Sequence, residues 1–254
     1  MRVHRNIGLI EKRQRRTRRF VGLGVVLLAA AVITPLVSPS GNIIIVSYAA
    51  LIIGFFAFIH GTQQYSKWRR KPRADEAIDA ALARLSDRFA LIHYPELGHN
   101  SPEHILVTPG GVLVITPKDV SGRVSVDGKR WRQHRLIFLR FFNLGAPSLG
   151  NPTVENELQM DCVEALFDAE AMPGEIEGVI IFLPDEVQVE MKEPESTIVH
   201  ISELYELARE IGSEVQLGNE DRNQIVNRLT VGARFESSGA RSTRPKKKIK
   251  VAGS

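Results

Sequence analysis

Two stretches without a single charged residue lie close together near the N-terminus, and each is bordered by arginine and lysine. Phe20 to Val37 spans 18 residues and Ile43 to Ile59 spans 17, dominated by apolar or small side chains. At about 1.5 Å rise per residue such a run extends roughly 26 Å as a helix, close to a hydrocarbon core of about 30 Å. The pattern predicts two membrane-crossing helices, over 20–37 and 43–59, within a hairpin covering 20–60. The link between them, Ser38-Pro39-Ser40-Gly41-Asn42, is rich in turn residues and uncharged, which makes the helices antiparallel neighbours. Pro35 stands near the end of the first run, where a missing N–H costs little, and Gly22, Gly24 and Gly54 permit close helix approach. A cleaved signal peptide is the competing reading of the first run, but the run exceeds the usual apolar region of such a peptide and no small-x-small site precedes the second.

Charge sets the orientation. Arg2, Arg5, Lys12, Arg13, Arg15, Arg16, Arg18 and Arg19 precede the first run, and Lys67, Arg69, Arg70, Lys71 and Arg73 follow the second. The excess of positive charge on cytoplasmic flanks predicts both termini, and the domain after the hairpin, on the cytoplasmic side of the cell membrane. Residues 1–19 then form a basic cytoplasmic segment and 61–73 a basic juxtamembrane linker, with Tyr65 and Trp68 placed as interfacial anchors. A disordered arm binding RNA or DNA is the other reading of the N-terminal charges.

Residues 74–235 read as an α/β domain. Ile78, Ala81, Leu82 and Leu85 recur at helical spacing within 74–88, and 89–94 suits a strand. Apolar runs at 104–108 and 112–116 flank Pro109-Gly110-Gly111 as a hairpin buried on both faces. A further hairpin is expected over 120–132 around Asp127-Gly128. Asn151-Pro152 opens a helix whose Val154, Leu158, Cys162 and Leu166 stand at four-residue intervals. Strands follow at 179–182 and 196–200, then a helix capped by Ser202 and containing Leu204, Leu207 and Ala208, and a last helix over 219–229. This order predicts one mixed sheet flanked by helices. The single cysteine, Cys162, excludes an internal disulfide and is expected as a buried structural thiol. His93, His99 and His104 are the closest histidines, without zinc-site spacing.

The stretch from His99 to Arg132, HNSPEHILVTPGGVLVITPKDVSGRVSVDGKRWR, resembles the nuclease-related domain, NERD, in which an acidic-His pair begins a strand, a Gly-containing turn follows, and Glu-x-Lys ends the next strand. Asp75-Glu76 before Ile78 and Leu82 is similar to the family's opening helix, Asn151-Pro152 to the start of its later helix, and 177–182 to its next core strand. The resemblance covers about 74–210. It implies a restriction-endonuclease-like core of the PD-(D/E)xK kind, in which carboxylates hold a divalent ion that polarises the phosphoryl group and activates water, while a lysine stabilises developing charge. Mapped by resemblance, Glu76, Glu103 and Lys118 stand at the catalytic positions, with Glu76 and Glu103 as the metal ligands, and Mg²⁺ as cofactor if the site is active.

The expected Glu two residues before that lysine is Thr116. Alternate strand residues share a face, so Asp119 points away from Lys118 unless a bulge at Pro117 re-aims it. A neutral hydroxyl is a poor substitute for an anionic ligand, and Glu155, where the family often carries Gln, adds charge that repels phosphate. Residues 74–235 hold 14 Lys or Arg against 27 Asp or Glu, a net of −13, so the domain lacks long-range attraction for nucleic acid. The local exception is Lys129, Arg130, Arg132, Arg135 and Arg140 around Trp131, either a nucleic-acid patch or a solvated hairpin edge. The tail over 236–254 is expected to be a disordered basic segment, solubilising or resting on anionic lipid. Three readings follow. The favoured one is a catalytically degenerate NERD-like domain that binds nucleic acid or protein at the membrane. The others are an active metal-dependent nuclease with a rearranged site, and a structural or signalling membrane protein.

Overall fold

The computed structural model describes residues 1–37, 40–69, 72–134 and 148–239, except for the side chains at 63 and 65–69. The proposed anchors Tyr65 and Trp68, the charges at 67 and 69–71, the patch members Arg135 and Arg140, and the tail beyond 239 therefore lie outside the description.

The chain opens with strand β1 (Arg2–Asn6), which passes directly into α1 (Ile7–Val37). Asn6 makes the join, because its side-chain oxygen accepts the Leu9 amide at 3.0 Å while its Nδ2 donates to the Tyr94 carbonyl at 3.1 Å. After the turn comes α2 (Gly41–Arg69). Both helices are long and apolar enough to cross a membrane, and only 11% of the most apolar window of each is buried. A helix in the core of a soluble protein would be mostly covered; here Val26, Leu36, Ile45 and Phe56 point outward. The buried positions are Ile10, Thr17, Gly24 and Ala31 on α1, and Ser47, Gly54 and Gly61 on α2. A spacing of seven on both helices is the signature of a left-handed crossing, here with a seam of small residues. The backbones touch there, since a methyl group at Gly24 would sit 2.7 Å from the Phe58 nitrogen and one at Gly61 2.8 Å from Val21 Cγ2. Gly22, expected at this contact, has nothing within 4 Å. It lies two residues, about 200° of helix, from Gly24 and faces away.

Beyond the hairpin lie α3 (Ala74–Leu82), β2 (Ala90–His93), β3 (His104–Val107), β4 (Gly111–Lys118), β5 (Arg123–Asp127) and β6 (Arg130–His134). The chain continues with α4 (Pro152–Glu170), β7 (Glu175–Phe182), β8 (Gln188–Lys192), β9 (Thr197–His200), α5 (Leu204–Ile211), α6 (Asn219–Leu229) and β10 (Phe235–Gly239). Seven strands form a mixed sheet in the order β10-β1-β2-β3-β4-β7-β9, and β6-β5-β8 form a second, smaller one. The mixed α/β fold expected from the sequence is present. Leu91, Leu106, Leu113 and Ile115 face α3 and α5 on one side of the large sheet, while Ile92, Ile105, Val112 and Val114 face α4 and α6 on the other.

The ends of the domain differ from expectation. Residues 2–6, at the start of the segment read as basic, form an internal strand, parallel to β2 and antiparallel to β10. Residues 236–239, expected as tail, pair with it. Both segments are too polar to announce strands, with one aliphatic residue in RVHRN and none in ESSG. Tertiary partners accommodate the charges, as Arg2 donates to Asn223 at 2.8 Å and Arg5 meets Asp75 at 2.8 Å. A second correction concerns α4. Val154 and Leu158 are 40% and 43% exposed and Cys162 is half-buried, so the thiol is not a core group. The inner face carries Thr153, Asn156, Gln159, Val163 and Phe167. At the start of α5 the residue preceding the helix is Glu203 rather than Ser202, with its carboxylate accepting the His200 amide at 2.9 Å.

Candidate functional site

The polar inner face of α4 explains itself at the end of β4. Thr116 and Lys118 point to the same side of the sheet, toward α4, and both are buried. The Thr116 hydroxyl donates to Gln159 Oε1 at 3.0 Å and accepts from Asn156 Nδ2 at 3.0 Å; the same amide nitrogen lies 3.3 Å from the Val114 carbonyl. Lys118, 7% exposed, carries its ammonium against the Glu155 carboxylate, whose side chain is 46% exposed. Positions 155, 156 and 159 occupy neighbouring points on one helix surface, so a single turn of α4 supplies every partner. Gly178 on β7 makes the room, because a methyl group there would fall 2.0 Å from Asn156 Oδ1. The helix is held in place by its start. Asn151 accepts the Val154 amide at 3.3 Å and donates to the Lys129 carbonyl at 3.1 Å, and Thr153 accepts the Trp131 indole at 2.9 Å.

Strand β4 runs without a bulge through Pro117, with Thr116, Pro117 and Lys118 opposite Ile180, Ile181 and Phe182 of β7. The irregularity that would have re-aimed Asp119 is absent from this strand.

A second polar cluster lies on the other face. Asp75, fully buried at the start of α3, meets Arg5 Nε at 2.8 Å and receives Arg73 through Nε at 3.0 Å and Nη2 at 2.8 Å. Asp79 pairs with Arg5 and accepts from His93 Nε2 at 2.9 Å. His93 and His104 are opposite each other on β2 and β3, and their Nδ1 atoms are 2.7 Å apart. Of the two facing Nδ1 atoms one donates to the other, while His93 Nε2 serves the Asp79 carboxylate. His99, the third of the sequence group, is exposed in the connecting loop. Tyr94 follows at φ 59°, a left-handed conformation that is strained for an aromatic residue. Burial, with Asp75 and Glu103 nearby, raises the pKa of its hydroxyl and keeps it a phenol.

Glu76 and Glu103 are not brought together with Thr116 and Lys118. Glu76 accepts the Arg73 amide at 3.2 Å as a helix-start cap, on the helix that covers the opposite side of the sheet. The Glu103 carbonyl accepts from Tyr94 at 2.7 Å at the entry to β3. Among the described residues no group of three or more His, Cys, Asp or Glu side chains is arranged to hold a metal ion. Hard divalent ions take several oxygen ligands, and Thr116 engaged twice with amides, beside a lysine already paired, does not fit that demand. The acid that sequence reasoning missed on α3 is Asp75, one residue before Glu76; its partner Arg5 lies across the hairpin in sequence and could not have been inferred.

The basic patch is divided. Lys129 pairs with Glu157 at 2.7 Å and Glu195 at 3.7 Å. Arg130 and Arg132 are exposed on one side of β6, while Trp131 turns to the other, its ring 6.2 Å from that of Phe182.

Residues 59–183 match the family model described as NERD, the nuclease-related domain. This chain carries a nuclease-related domain. The match begins in the last turns of α2, earlier than the resemblance suggested, and ends just after β7. The NERD segment thus includes Glu76, Glu103, Thr116, Lys118 and Glu155, whereas β1, β8, β9, β10, α5 and α6 complete the domain outside it. No curated protein and no solved structure gives a match.

Proposed function

We propose that this protein is a membrane-anchored NERD domain that has given up phosphodiester hydrolysis and works by binding a partner at the cytoplasmic membrane face. The observation that carries the reading is the closed state of the β4–α4 corner. Where the family pattern calls for a carboxylate and a free lysine, Thr116 is bonded to two amides and Lys118 to Glu155. A lysine neutralised in this way offers little charge to a phosphoryl oxygen. Strands β1 and β2, which flank the hairpin, lie side by side, which supports placing both ends of the hairpin on one side of the bilayer, and the arginine-rich borders favour the cytoplasm as that side. Of the two partner classes, charge favours protein. The domain's acidic excess repels nucleic acid, and Lys129 is already compensated by two carboxylates.

The test uses the full chain in detergent with single- and double-stranded DNA and RNA, in Mg²⁺ or Mn²⁺. No cleavage and no retention of nucleic acid at physiological salt is expected. Metal-dependent cutting that disappears in Lys118→Ala would restore the nuclease reading. Retention without cutting that is lost in Arg130→Gln/Arg132→Gln would assign nucleic acid as the partner.

A further inference from the structure

The root of the hairpin contains a cavity of about 360 Å³ between α1, α2 and the loop after β2. Lys12, Arg13 and Arg16 line it from α1, and His60 and Gln64 from α2. The three cations stand at i, i+1 and i+4, on one side of the helix. Against these three cations a single lining carboxylate, Glu96, lies on the domain side. The floor is Phe20, the first residue of the uncharged run. Its ring meets the His60 ring edge-on at 5.8 Å and carries the Arg16 guanidinium 5.6 Å above its centroid. The cavity therefore sits at the depth where uncharged helix gives way to charge, immediately beyond the Val21–Gly61 contact. A second cavity on the other side of Lys12 and Arg16 adds Arg15, Arg19 and Arg234, with Glu11 as its acid.

We propose that the first cavity holds the phosphate of an anionic phospholipid from the surrounding leaflet. Guanidinium groups grip phosphate through paired N–H donors, and basic pockets between helices on the cytoplasmic side are suited to lipid headgroups. The apolar floor selects the source. A free phosphate ion would have Phe20 and hydrocarbon on one side, whereas a lipid brings its own chains to lie along the exposed surface of the hairpin. This inference rests on the membrane-anchored reading.

The experiment is native mass spectrometry of the full chain in detergent, titrated with phosphatidylglycerol or phosphatidylcholine. A single tight phosphatidylglycerol adduct is expected, weaker by about 30-fold in Arg13→Gln/Arg16→Gln. Arg15→Gln/Arg18→Gln removes the same charge from other positions of the helix and is expected to change binding by less than about 3-fold. Equal binding of the two lipids, or equal effects of the two double variants, overturns the site. Displacement by millimolar inorganic phosphate makes it a simple anion site, and displacement by an oligonucleotide assigns it to nucleic acid; either result overturns the lipid. Carbonate extraction of membranes is run in parallel. Release of the chain there refutes the anchor itself, a different failure from an embedded protein that shows no lipid preference.

Discussion

Replacing Thr116 with valine separates a closed polar corner from an open one. Valine matches threonine in shape, so the packing of this fully buried position is kept and only the hydroxyl is lost. Gln159 Oε1 then lacks its donor, and Asn156 Nδ2 keeps only its longer contact, 3.3 Å, to the Val114 carbonyl. A buried polar group left unsatisfied costs about 1–3 kcal/mol. With one acceptor stranded and one donor weakened, a loss of about 2 kcal/mol is expected, or roughly 4–8 °C in Tm for a domain of this size. The measurement is thermal unfolding of the full chain in detergent by tryptophan fluorescence, in a Trp68→Phe background. Trp131 then reports alone, and it is tied to the start of α4 through Thr153. Adding Gln159→Met removes the stranded acceptor and should recover about half of the loss; because Gln159→Met alone strands the Thr116 hydroxyl at about 1 kcal/mol, the coupling in the double-mutant cycle is about 2 kcal/mol. An unchanged Tm in Thr116→Val, or strict additivity with Gln159→Met, would mean that water reaches the hydroxyl. The corner would then be open to ligand and the case for a lost active site would fail.

Three further outcomes follow from the same geometry. Asp75→Asn, which leaves Arg5 and Arg73 without their buried carboxylate, should cost about 3 kcal/mol, whereas Glu76→Gln should cost less than about 1 kcal/mol because that carboxylate is partly exposed; urea unfolding of the two variants checks the order. A fragment beginning at Ala74 lacks β1 and exposes the edge of β2, so it should aggregate in size-exclusion chromatography, and joining residues 1–6 ahead of it through a Gly/Ser linker should recover monomer. A monomeric, cooperatively melting fragment without those residues would refute the placement of β1. Gly24→Leu should part the hairpin at its closest contact, seen as reduced cross-linking between cysteines introduced on α1 and α2, while Gly22→Leu should leave it unchanged.

Elements whose stabilising interactions are local could be read in advance. The two uncharged runs, the β3–β4 hairpin around Pro109-Gly110-Gly111, and the capped start of α4 each carry their signal within a few residues, as does the last helix at 219–229. That Thr116 and Lys118 share a face, with a neutral hydroxyl at the first, was equally legible, because it is a matter of residue identity in a strand of known parity. The misreadings share one cause. Strand β1 is stabilised by β2, β10, Asp75 and Asp79, all distant in sequence, so its arginines resembled topogenic charge. The α4 face was misplaced because periodicity counts apolar residues, whereas Asn156 and Gln159 are buried by bonds to β4 that only the packed sheet supplies.

What the sequence by itself determined is the pair of long apolar helices, the order of the α/β elements and the neutral residue before Lys118 on its strand face, since hydropathy, turn chemistry and residue type are local properties. Only the tertiary structure decided that the chain's first residues complete the sheet, that Lys118 is held by Glu155, and that cations and an aromatic ring share a cavity at the root of the hairpin. Those are statements about distance, and distance between residues remote in sequence is set by packing.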